Sequence, residues 1–483
     1  MMVTSEATPF AKSGGLADAV SALSRALDRL GHDVRIVMPR YASMPLDGLA
    51  AMPGTLDVPM GWGTEHAAVY ATTLPQSGVQ VYCIDHPGFF GREGIYGSKA
   101  EPDYADNPRR FSFFSRAAFR LCEQLAWTPD VFHAHDWPSA FVPVFQRYQE
   151  PAFRSAASIL TIHNLGYQGI YPKDSFPYFG LPWELYYQSG FEYYGSINIL
   201  KAGISSADML STVSPTYARE IQTPALGCML DGLLRARSAN LVGILNGVDG
   251  SDWNPATDAY LPATYTAEDL RGKAVCKAAL QRELGLPLAP DKPLIGMVSR
   301  LTDQKGIGEL FGPTYGCAAS LCQDMDLQFA IQGTGEAWCE SELGVLSANL
   351  PNFKARIGYS ERLAHLIEAG ADFFMMPSRY EPCGLNQTYS LRYGTLPIAH
   401  RTGGLADTIS NFDQDSGGGT GFLFDQLTPR SIYDTTGWAV WAYYNRPHML
   451  AAMRSHAMNL DFSWDESARE YEALYQSACS RSF

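Results

Sequence analysis

The sequence lacks the long hydrophobic runs, paired cysteines and basic excess that define several classes of protein. No uninterrupted apolar run in its 483 residues approaches the roughly 18 that cross a bilayer. Its first residues show no basic region followed by an apolar one, so no secretory signal is predicted. With 36 basic and 50 acidic side chains, the net charge of −14 argues against a general nucleic-acid binder. These absences predict a cytoplasmic protein with neither a membrane nor a nucleic-acid partner.

The nine cysteines are scattered along the chain, and none forms a CxxC pair. An odd count without such pairs is typical of reduced core thiols rather than of a disulfide framework or a zinc site. The hydrophobic fraction of 46% is too high for a disordered chain. The length is enough for two large domains or about three ordinary ones.

Short apolar strands alternate with amphipathic helices along most of the chain. In the first series, strands are predicted at 34–38, 79–84, 131–135, 158–162 and 209–213. In the second, they are predicted at 294–299, 327–331, 353–357, 373–376 and 396–399. Apolar residues on both faces of most strands are typical of a parallel sheet covered by helices. Two such series predict two doubly wound α/β domains.

The boundary between the two domains is predicted from composition. The segment from Asn246 to Pro262 is rich in Gly, Pro, Asn and Asp, as expected of a connector. The first domain is therefore predicted over residues 1–247 and the second over 248–459. A helical pattern in the last segment, 460–483, belongs to neither series, and we expect it to pack back on the first domain.

One motif occurs twice: KSGGLAD at 12–18 returns as RTGGLAD at 401–407. Each copy begins with a cation and precedes a helical pattern. Two interpretations stay open. The backbone amides of such a glycine turn, at a helix N-terminus, can face an anion. Alternatively, the glycines serve a tight strand–helix turn that requires positive φ.

Polar residues close two consecutive strands of the first series. His133, His135 and Asp136 end one strand, and His163 and Asn164 end the next. His133 and His135 share one strand face, but no third and fourth ligand is apparent, so no metal site is predicted. Because ligands of α/β proteins bind at the carboxyl ends of parallel strands, we expect a shared crevice here.

The second series carries charged turns in the same position. Arg300 and Lys305 bracket the turn after its first strand, where both can reach one diphosphate, although no Walker loop is present. After the strand at 373–376, Glu381 sits in a rigid turn and Gly384 is expected to begin a helix whose amides point to the crevice. Cys383 lacks a histidine relay and is expected to pack or touch ligand. The GxG at 333–335 has no third glycine, so no NAD fingerprint is predicted.

Taken in order, these motifs resemble those of bacterial glycogen synthases and plant starch synthases. This family of retaining glycosyltransferases lengthens α-1,4-glucans from a nucleotide-glucose, usually ADP-glucose. The matching segments are KSGGLAD at 12–18, HAHDW at 133–137, TIHNLGYQG at 161–169, KAGISSADMLSTVSPTYAREI at 201–221, GILNGVD at 243–249, SRLTDQKG at 299–306, PSRYEPCGLNQ at 377–387, RTGGLADT at 401–408 and FSW at 462–464. The resemblance implies a GT-B type fold: two Rossmann-like domains facing across a deep cleft, with the C-terminal helix returning to the first.

The resemblance also implies roles for individual residues. Arg300 and Lys305 would neutralise the ADP phosphates, and Glu381 would bind glucose hydroxyls. The residues that would line the sugar and acceptor side are Asp136, His163 and Asn246. Those that would assist at the nucleotide are Lys12, Gly14, Gly15, Gly384 and the adenine-stacking Tyr359. The remaining motif positions expected to bind substrate are Asp18, Asn164, Cys383 and Leu385.

No metal and no cofactor are expected, because ADP-glucose is a co-substrate and an α-1,4-glucan is the other partner. Two alternatives stay open: a related transferase that uses UDP-glucose, and a catalytically silent glucan-binding homologue. Oligomeric state is not predicted. The sequence departs from the family in its very short first strand, Met1 to Val3. Broader retaining relatives carry a second glutamate eight positions after the first, where this chain has Tyr389, as the synthase branch generally does.

Overall fold

A computed structural model describes residues 1–188, 190–248 and 253–481. The chain forms two units, Met1–Gly247 with Trp464–Phe483, and Val248–Ser463. Within the described ranges, no helix is long and apolar enough to span a membrane.

The strands of the first unit are β1 (Met2–Val3), β2 (Arg35–Pro39), β3 (Ala50–Ala51), β4 (Leu56–Met60), β5 (Gly63–Thr73), β6 (Gln80–Asp85), β7 (Val131–His135), β8 (Ala157–Ile162), β9 (Ile170–Pro172), β10 (Glu192–Tyr193), β11 (Ser196–Asn198), β12 (Met209–Thr212) and β13 (Leu241–Gly243). Those of the second unit are β14 (Leu294–Leu301), β15 (Gln328–Gly335), β16 (Phe353–Ile357), β17 (Phe373–Met376), β18 (Leu396–His400) and β19 (Phe422–Phe424).

The helices of the first unit are α1 (Gly15–Arg29), α2 (Pro87–Phe90), α3 (Asn107–Gln124), α4 (Asp136–Ser139), α5 (Phe141–Tyr148), α6 (Glu184–Gln188), α7 (Ile199–Ser206), α8 (Pro215–Glu220) and α9 (Asp231–Ala236), joined by α19 (Trp464–Arg481) from the end of the chain. The second unit contains α10 (Arg271–Leu284), α11 (Ile307–Phe311), α12 (Ala318–Asp324), α13 (Ala337–Asn349), α14 (Glu361–Gly370), α15 (Asn386–Arg392), α16 (Gly403–Thr408), α17 (Pro429–Asn445) and α18 (Pro447–Met458). Short 3-10 helices occur at Pro151–Phe153, Lys173–Phe179, Ser238–Asn240 and Asp303–Lys305.

The main sheet of the first unit runs β13-β12-β8-β7-β1-β2-β6-β5-β3, with β4 paired to β5. The two-residue β1 lies in the middle of this sheet, where Val3 pairs in parallel with Val37 and with Ala134. All five predicted strands of the first series are present within one or two residues of their expected bounds. The parallel core predicted from their two-faced apolar pattern is confirmed.

An antiparallel edge of the first unit was not predicted. β5 pairs antiparallel with β3, β4 and β6. In β4, residues 56, 58 and 60 are buried while 57 and 59 are exposed. This alternation is typical of a strand that has one face exposed to solvent. A separate three-stranded antiparallel sheet, β10-β11-β9, was also missed.

The second unit is built on a six-stranded parallel sheet in the order β16-β15-β14-β17-β18-β19. Successive residues of a strand enter opposite cores: Phe373 and Met375 pack in one cluster, Phe374 and Met376 in the other. This two-sided burial is the physical basis of the apolar runs in the sequence. The predicted doubly wound, Rossmann-like architecture is therefore confirmed for this unit as well.

Two helices of the first unit, α1 and α19, pack against each other. α1 follows the predicted helical spacing of apolar residues, and it ends before Gly31, whose φ of +93° suits a helix terminus. α19 packs against α1 and β8. Its Ser467 hydroxyl donates to the carbonyl of Leu245, 2.6 Å away.

Candidate functional site

The predicted site residues gather at the carboxyl ends of the central strands in each unit. In the first unit, β1 has β2 on one side and β7 on the other, so the chain diverges between β1 and β7. In the second unit, the same divergence occurs between β14 and β17. Loops that leave such a switch point in opposite directions open a crevice between them, where α/β proteins bind ligands.

The glycine turn of the first unit is organised by a buried carboxylate. Glu6, 2% exposed, accepts hydrogen bonds from the Ser13 amide, from the Ser13 hydroxyl at 2.7 Å and from the Gly14 amide at 3.3 Å. The Tyr96 hydroxyl donates to the same carboxylate at 2.5 Å. A Cβ placed on Gly14 or Gly15 would meet no atom within 4 Å, so the space above the turn is open. Glu6 therefore anchors the turn on its buried side, while the space next to Gly14 and Gly15 is open.

Lys12 and Asp18 flank this turn as an ion pair, with Nζ and Oδ2 2.8 Å apart. The Thr8 hydroxyl donates to the other Asp18 oxygen at 2.8 Å. Both charged side chains are substantially exposed. Asp18 therefore orients Lys12 at the solvent side of the turn.

Asp136 joins the ends of β7 and β8. It has a φ of +56°, unusual for a residue with a side chain and a mark of local strain at functional sites. Its Oδ1 accepts the amide of His163 at 2.7 Å, and the carboxylate also accepts the amide of Asn164. Desolvation nevertheless dominates, raising the pKa of this carboxyl to about 7. The structure thus brings Asp136, His163 and Asn164 together at the carboxyl ends of β7 and β8.

The histidines of β7 are held by hydrogen bonds. His133 Nε2 lies 2.6 Å from the Thr161 hydroxyl, and its Nδ1 lies 2.9 Å from the Tyr475 hydroxyl on α19. His135 Nδ1 lies 3.1 Å from Nε2 of His163. In the described part of the chain, no group of three or more His, Cys, Asp or Glu side chains has the arrangement of a metal site.

Asn246 follows β13 at the end of the first unit. Its side-chain oxygen Oδ1 is buried and has no hydrogen-bond partner among the described residues. A buried amide oxygen without a partner is costly, which is consistent with a position that contacts a ligand. Asn164, by contrast, caps its own turn, because its Oδ1 accepts the Gly166 amide at 2.9 Å.

In the second unit, the turn after β14 is tied to the turn after β17 by an ion pair. Lys305 Nζ lies 2.6 Å from Glu381 Oε2, and both side chains are largely buried. The Ser378 hydroxyl donates to the same carboxylate oxygen at 2.8 Å. Arg300 is exposed beside them and approaches the Gln304 side chain at 3.4 Å. Two cations and one carboxylate therefore share this strand edge, as the sequence predicted.

The backbones of the same two turns are in close contact. Gly306 has a φ of +67°, and a Cβ there would lie 1.9 Å from the Pro377 carbonyl oxygen. The Arg379 amide donates to the Gln304 carbonyl at 2.8 Å, and the Arg379 guanidinium pairs with Asp303. The turns thus form one rigid support for Lys305 and Glu381.

The second copy of the glycine motif serves packing. A Cβ on Gly403 would lie 1.9 Å from the Glu381 carbonyl oxygen, and one on Gly404 1.8 Å from that of Cys383. The Gly404 amide donates to the Glu381 carbonyl at 3.0 Å. The two copies therefore differ: the first is open to solvent, while the second supports the Glu381 turn from behind. The anion interpretation does not extend to the Gly404 amide.

The expected helix at Gly384 starts later than predicted. Gly384 has a φ of +71° and lies in the preceding turn, while α15 begins at Asn386, after Leu385. The Asn386 side chain donates to the Val298 carbonyl at 2.8 Å, which ties this helix to β14. Cys383 is buried at 8% exposure, and burial of this kind favours a contact over a reactive thiol.

Tyr359 lies just beyond β16 and is 65% exposed. Its hydroxyl donates to Glu361 at 2.6 Å, which fixes the ring at the same carboxyl edge of the sheet. The GxG glycines of β15, for their part, permit close strand pairing. A Cβ on Gly333 would lie 2.4 Å from the Ser299 carbonyl oxygen.

Glu6 and Ser378 were missed as candidates. Glu6 precedes the glycine turn by only a few residues, and a carboxylate so near a predicted anion-facing turn was a usable signal. Ser378 lies two residues after the strand at 373–376, in the segment that was already singled out. Neither residue type is distinctive by itself, so the sequence did not separate them from ordinary loop residues.

Comparison with known proteins gives two family matches. A model described as starch synthase catalytic domain matches residues 1–236, and one described as glycosyl transferases group 1 matches residues 285–436. The chain is 54% identical to a glycogen synthase of Treponema denticola, over 100% of this chain and 98% of that one. It is 47% identical to glycogen synthase 1 of Geobacter sulfurreducens, over 98% of this chain and 95% of that one.

Solved structures give the same picture. The catalytic domain of starch synthase IV from Arabidopsis thaliana, bound to ADP and acarbose, matches with a TM-score of 0.88 and 33% identity over 99% of each chain. A sucrose-phosphate synthase from Thermosynechococcus elongatus matches at a TM-score of 0.60 and 16% identity, which is a likeness of fold.

Proposed function

The chain belongs to the family of glycogen and starch synthases, which are retaining glycosyltransferases, and we propose that its donor is ADP-glucose and its acceptor the non-reducing end of an α-1,4-glucan. The observation that carries the choice of a nucleotide-diphosphate sugar is the Lys305–Glu381 pair beside Arg300. A cation within about 4 Å of a phosphate is worth about 4 kcal/mol at an effective dielectric near 20. The related starch synthase solved with ADP supports the same base.

The residues of the second unit bind the donor in this proposal. Arg300 and Lys305 neutralise the charge that the diphosphate gains as it leaves, and Glu381 accepts hydrogen bonds from glucose hydroxyls. The exposed ring of Tyr359 stacks on adenine, with Gly384, Cys383 and Leu385 alongside. Because the support under Lys305 and Glu381 is rigid, these groups need little reorganisation during the reaction, which favours electrostatic stabilisation of the transition state.

The residues of the first unit act on the sugar and the acceptor. Asp136, His163, Asn164 and Asn246 bind hydroxyls, and the backbone carbonyl of His163 stabilises the developing positive charge at the anomeric carbon. Lys12, Asp18 and the open turn at Gly14 and Gly15 approach the phosphates. No further cofactor is needed, since ADP-glucose itself supplies the activated bond.

Transfer occurs on one face of the sugar. The bond between the anomeric carbon and the β-phosphate oxygen breaks with its electron pair going to that oxygen. The acceptor 4-hydroxyl oxygen then bonds to the same carbon, and its proton passes to the departing phosphate oxygen. A covalent route through Glu381 or Asp136 is disfavoured. Glu381 Oε2 is already engaged by Lys305 and Ser378, and the Asp136 carboxylate already accepts the backbone amides of His163 and Asn164.

The direct test is nucleotide release from ADP-glucose and from UDP-glucose, each with and without glycogen. We expect ADP release that depends on glycogen, and little release from UDP-glucose. Preference for UDP-glucose would overturn the donor assignment, and no release from either would indicate a silent homologue. A trapped glucosyl adduct on the protein would overturn the single-face mechanism.

The proposed site of action is the cytoplasm. All nine cysteines carry free thiols, as expected of a chain that works in a reducing compartment.

A further inference from the structure

A hydrogen bond between two histidine rings lies at the carboxyl edge of the first unit's sheet. His135 ends β7, and its Nδ1 lies 3.1 Å from Nε2 of His163, which follows β8. His135 is 1% exposed. Its other ring nitrogen, Nε2, is buried and has no hydrogen-bond partner among the described residues. His135 has no part in the substrate contacts assigned above, so its position calls for another explanation.

Both rings are neutral in the folded protein. Burial lowers the pKa of His163 to about 3 and places that of His135 well below its usual value. A neutral imidazole carries one N–H donor and one lone-pair acceptor. The bond between the rings therefore requires that one histidine donates and the other accepts.

The buried Nε2 of His135 decides which ring donates. If Nε2 carried the proton, a buried N–H group would lack an acceptor, at a cost of about 1–3 kcal/mol. A buried lone pair without a donor is the less costly choice, because unpaired acceptors are better tolerated than unpaired donors. The His135 proton is then on Nδ1, which donates to Nε2 of His163. Nε2 of His163 is an acceptor, so the His163 proton is on Nδ1.

We propose that His135 is a positioning residue that holds His163 in the Nδ1–H tautomer, so that His163 presents a hydrogen-bond donor to the substrate sugar. The part concerning the sugar rests on the function proposed above. Among the described residues, the Nδ1 atom of His163 has no protein partner, and the ring is partly exposed. It is therefore able to donate to a hydroxyl oxygen.

Neighbouring groups keep both rings in place. His133 packs against His135 with ring centroids 4.1 Å apart, and is itself fixed by Thr161 and Tyr475. Asp136 holds the backbone of His163 through its amide. Since the rings cannot easily turn away from each other, the tautomer of one is coupled to that of the other.

The test reads the tautomer directly. In protein labelled with ¹⁵N-histidine, the ring nitrogen shifts of His163, assigned by comparison with His163→Asn, report which nitrogen carries the proton. We expect the Nδ1–H form in the wild-type protein without substrate. His135→Phe keeps a ring against His133 but removes the donor. We expect it to shift His163 toward the Nε2–H form and to lower kcat about tenfold or more, as is typical when a ligand-orienting partner is lost. KM for the donor should change less.

His133→Phe is the matched control. It substitutes a buried histidine of the same strand and removes two hydrogen bonds, but does not break the contact between His135 and His163. We expect a loss of thermal stability without a change in the His163 tautomer. An Nε2–H form of His163 in the wild-type protein would overturn the proposal, and this measurement needs no variant. Equal kcat losses in the two variants would also overturn it. Because the spectrum is recorded without substrate, it stays informative even if ADP-glucose is not the donor.

Discussion

The ammonium group of Lys305 lies 2.6 Å from the carboxylate of Glu381, and this contact joins two turns that leave neighbouring strands of the second unit. The pair places a positive and a negative charge side by side at the edge of the sheet, next to Arg300. A nucleotide-diphosphate sugar carries both charged phosphates and sugar hydroxyls. In the proposed function, Lys305 binds the phosphates and Glu381 accepts hydrogen bonds from the hydroxyls. The following expectations derive from this arrangement and from its counterpart in the first unit.

Removing either cation should slow turnover sharply. For Lys305→Ala and Arg300→Ala we expect kcat to fall about 100- to 1000-fold, the usual loss for one preorganised group that stabilises developing charge. The melting temperature should change little for Arg300→Ala, whose side chain is exposed. Lys292→Ala is the control, since this lysine pairs with Asp326 at the opposite end of β14. Near-normal rates in both site variants would remove the diphosphate argument.

The Ser378 hydroxyl should affect the reaction rate because it holds the Glu381 carboxylate in position. Ser378→Ala removes the bond to Oε2, and we expect about a tenfold loss of kcat, since a hydrogen bond to a charged group contributes about 1.5–3 kcal/mol. Ser390→Ala is matched to it, because Ser390 also donates to a buried carboxyl, that of Glu368, at 2.6 Å. The control should lose stability but keep its rate. Steady-state kinetics with calorimetry separates the two, and equal rates would contradict a role for Ser378.

Alanine substitutions in the two copies of the glycine motif should have opposite effects on stability and on rate. Gly404→Ala places a methyl group 1.8 Å from a carbonyl oxygen, so we expect a loss of about 1–3 kcal/mol or more in unfolding free energy. Gly15→Ala places it in open space, and stability should be unchanged. Its rate should fall instead, because the methyl group occupies the space above the turn. Thermal melts and rates of both variants measure this, and a destabilised Gly15→Ala protein would contradict the structure.

Asp136 should make stability depend on pH. Its carboxyl ionises near pH 4 in the unfolded chain and, with the pKa raised to about 7, only near neutrality in the folded one. Between these values the folded state binds more protons, so the free energy of unfolding falls as pH rises. Asp136→Asn removes this titration. Its stability relative to wild type should rise by up to about 4 kcal/mol between pH 4 and 7, an upper bound because Asp136 is only partly buried.

Denaturant melts of both proteins at a series of pH values give this difference directly. The slope should vanish above about pH 8, where both states are ionised. A difference that does not vary with pH would show that Asp136 is already charged in the folded protein. Asn keeps an oxygen for the His163 amide, so loss of that hydrogen bond does not confuse the result.

Much of the strand framework could be predicted because it is buried on both faces. The bounds of β7, β16 and β17 were predicted to the residue, since runs such as Phe373–Met376 enter two cores and carry apolar side chains throughout. The antiparallel strands β4 and β5 were missed. Their alternation of apolar and polar residues is recognisable only when one face of the strand is expected to be exposed to solvent, and no residue pattern there indicates the edge of a sheet.

The sequence was enough to predict that the candidate residues lie at the carboxyl ends of the strands, but not the contacts that they make there. Glycine turns and charged turns that follow apolar strands predict which edge of the sheet binds a ligand, without any three-dimensional information. The sequence does not reveal that Glu6 holds the turn at Gly14, or that Gly404 supports Glu381. Such contacts join residues far apart in the chain or depend on burial. For the same reason, two nearly identical heptapeptides have different surroundings.

The return of α19 to the first unit has a consequence for biosynthesis. The second unit is continuous in the chain, whereas the first is completed by a helix made some 200 residues later, after the whole of the second has been synthesised. A polypeptide that ends before α19 therefore contains the whole second unit but an incomplete first unit, in which His133 lacks its Tyr475 partner and α1 and β8 lack the helix that packs against them. Such a product exposes apolar surface, which makes it prone to aggregation and a target for chaperones and proteases.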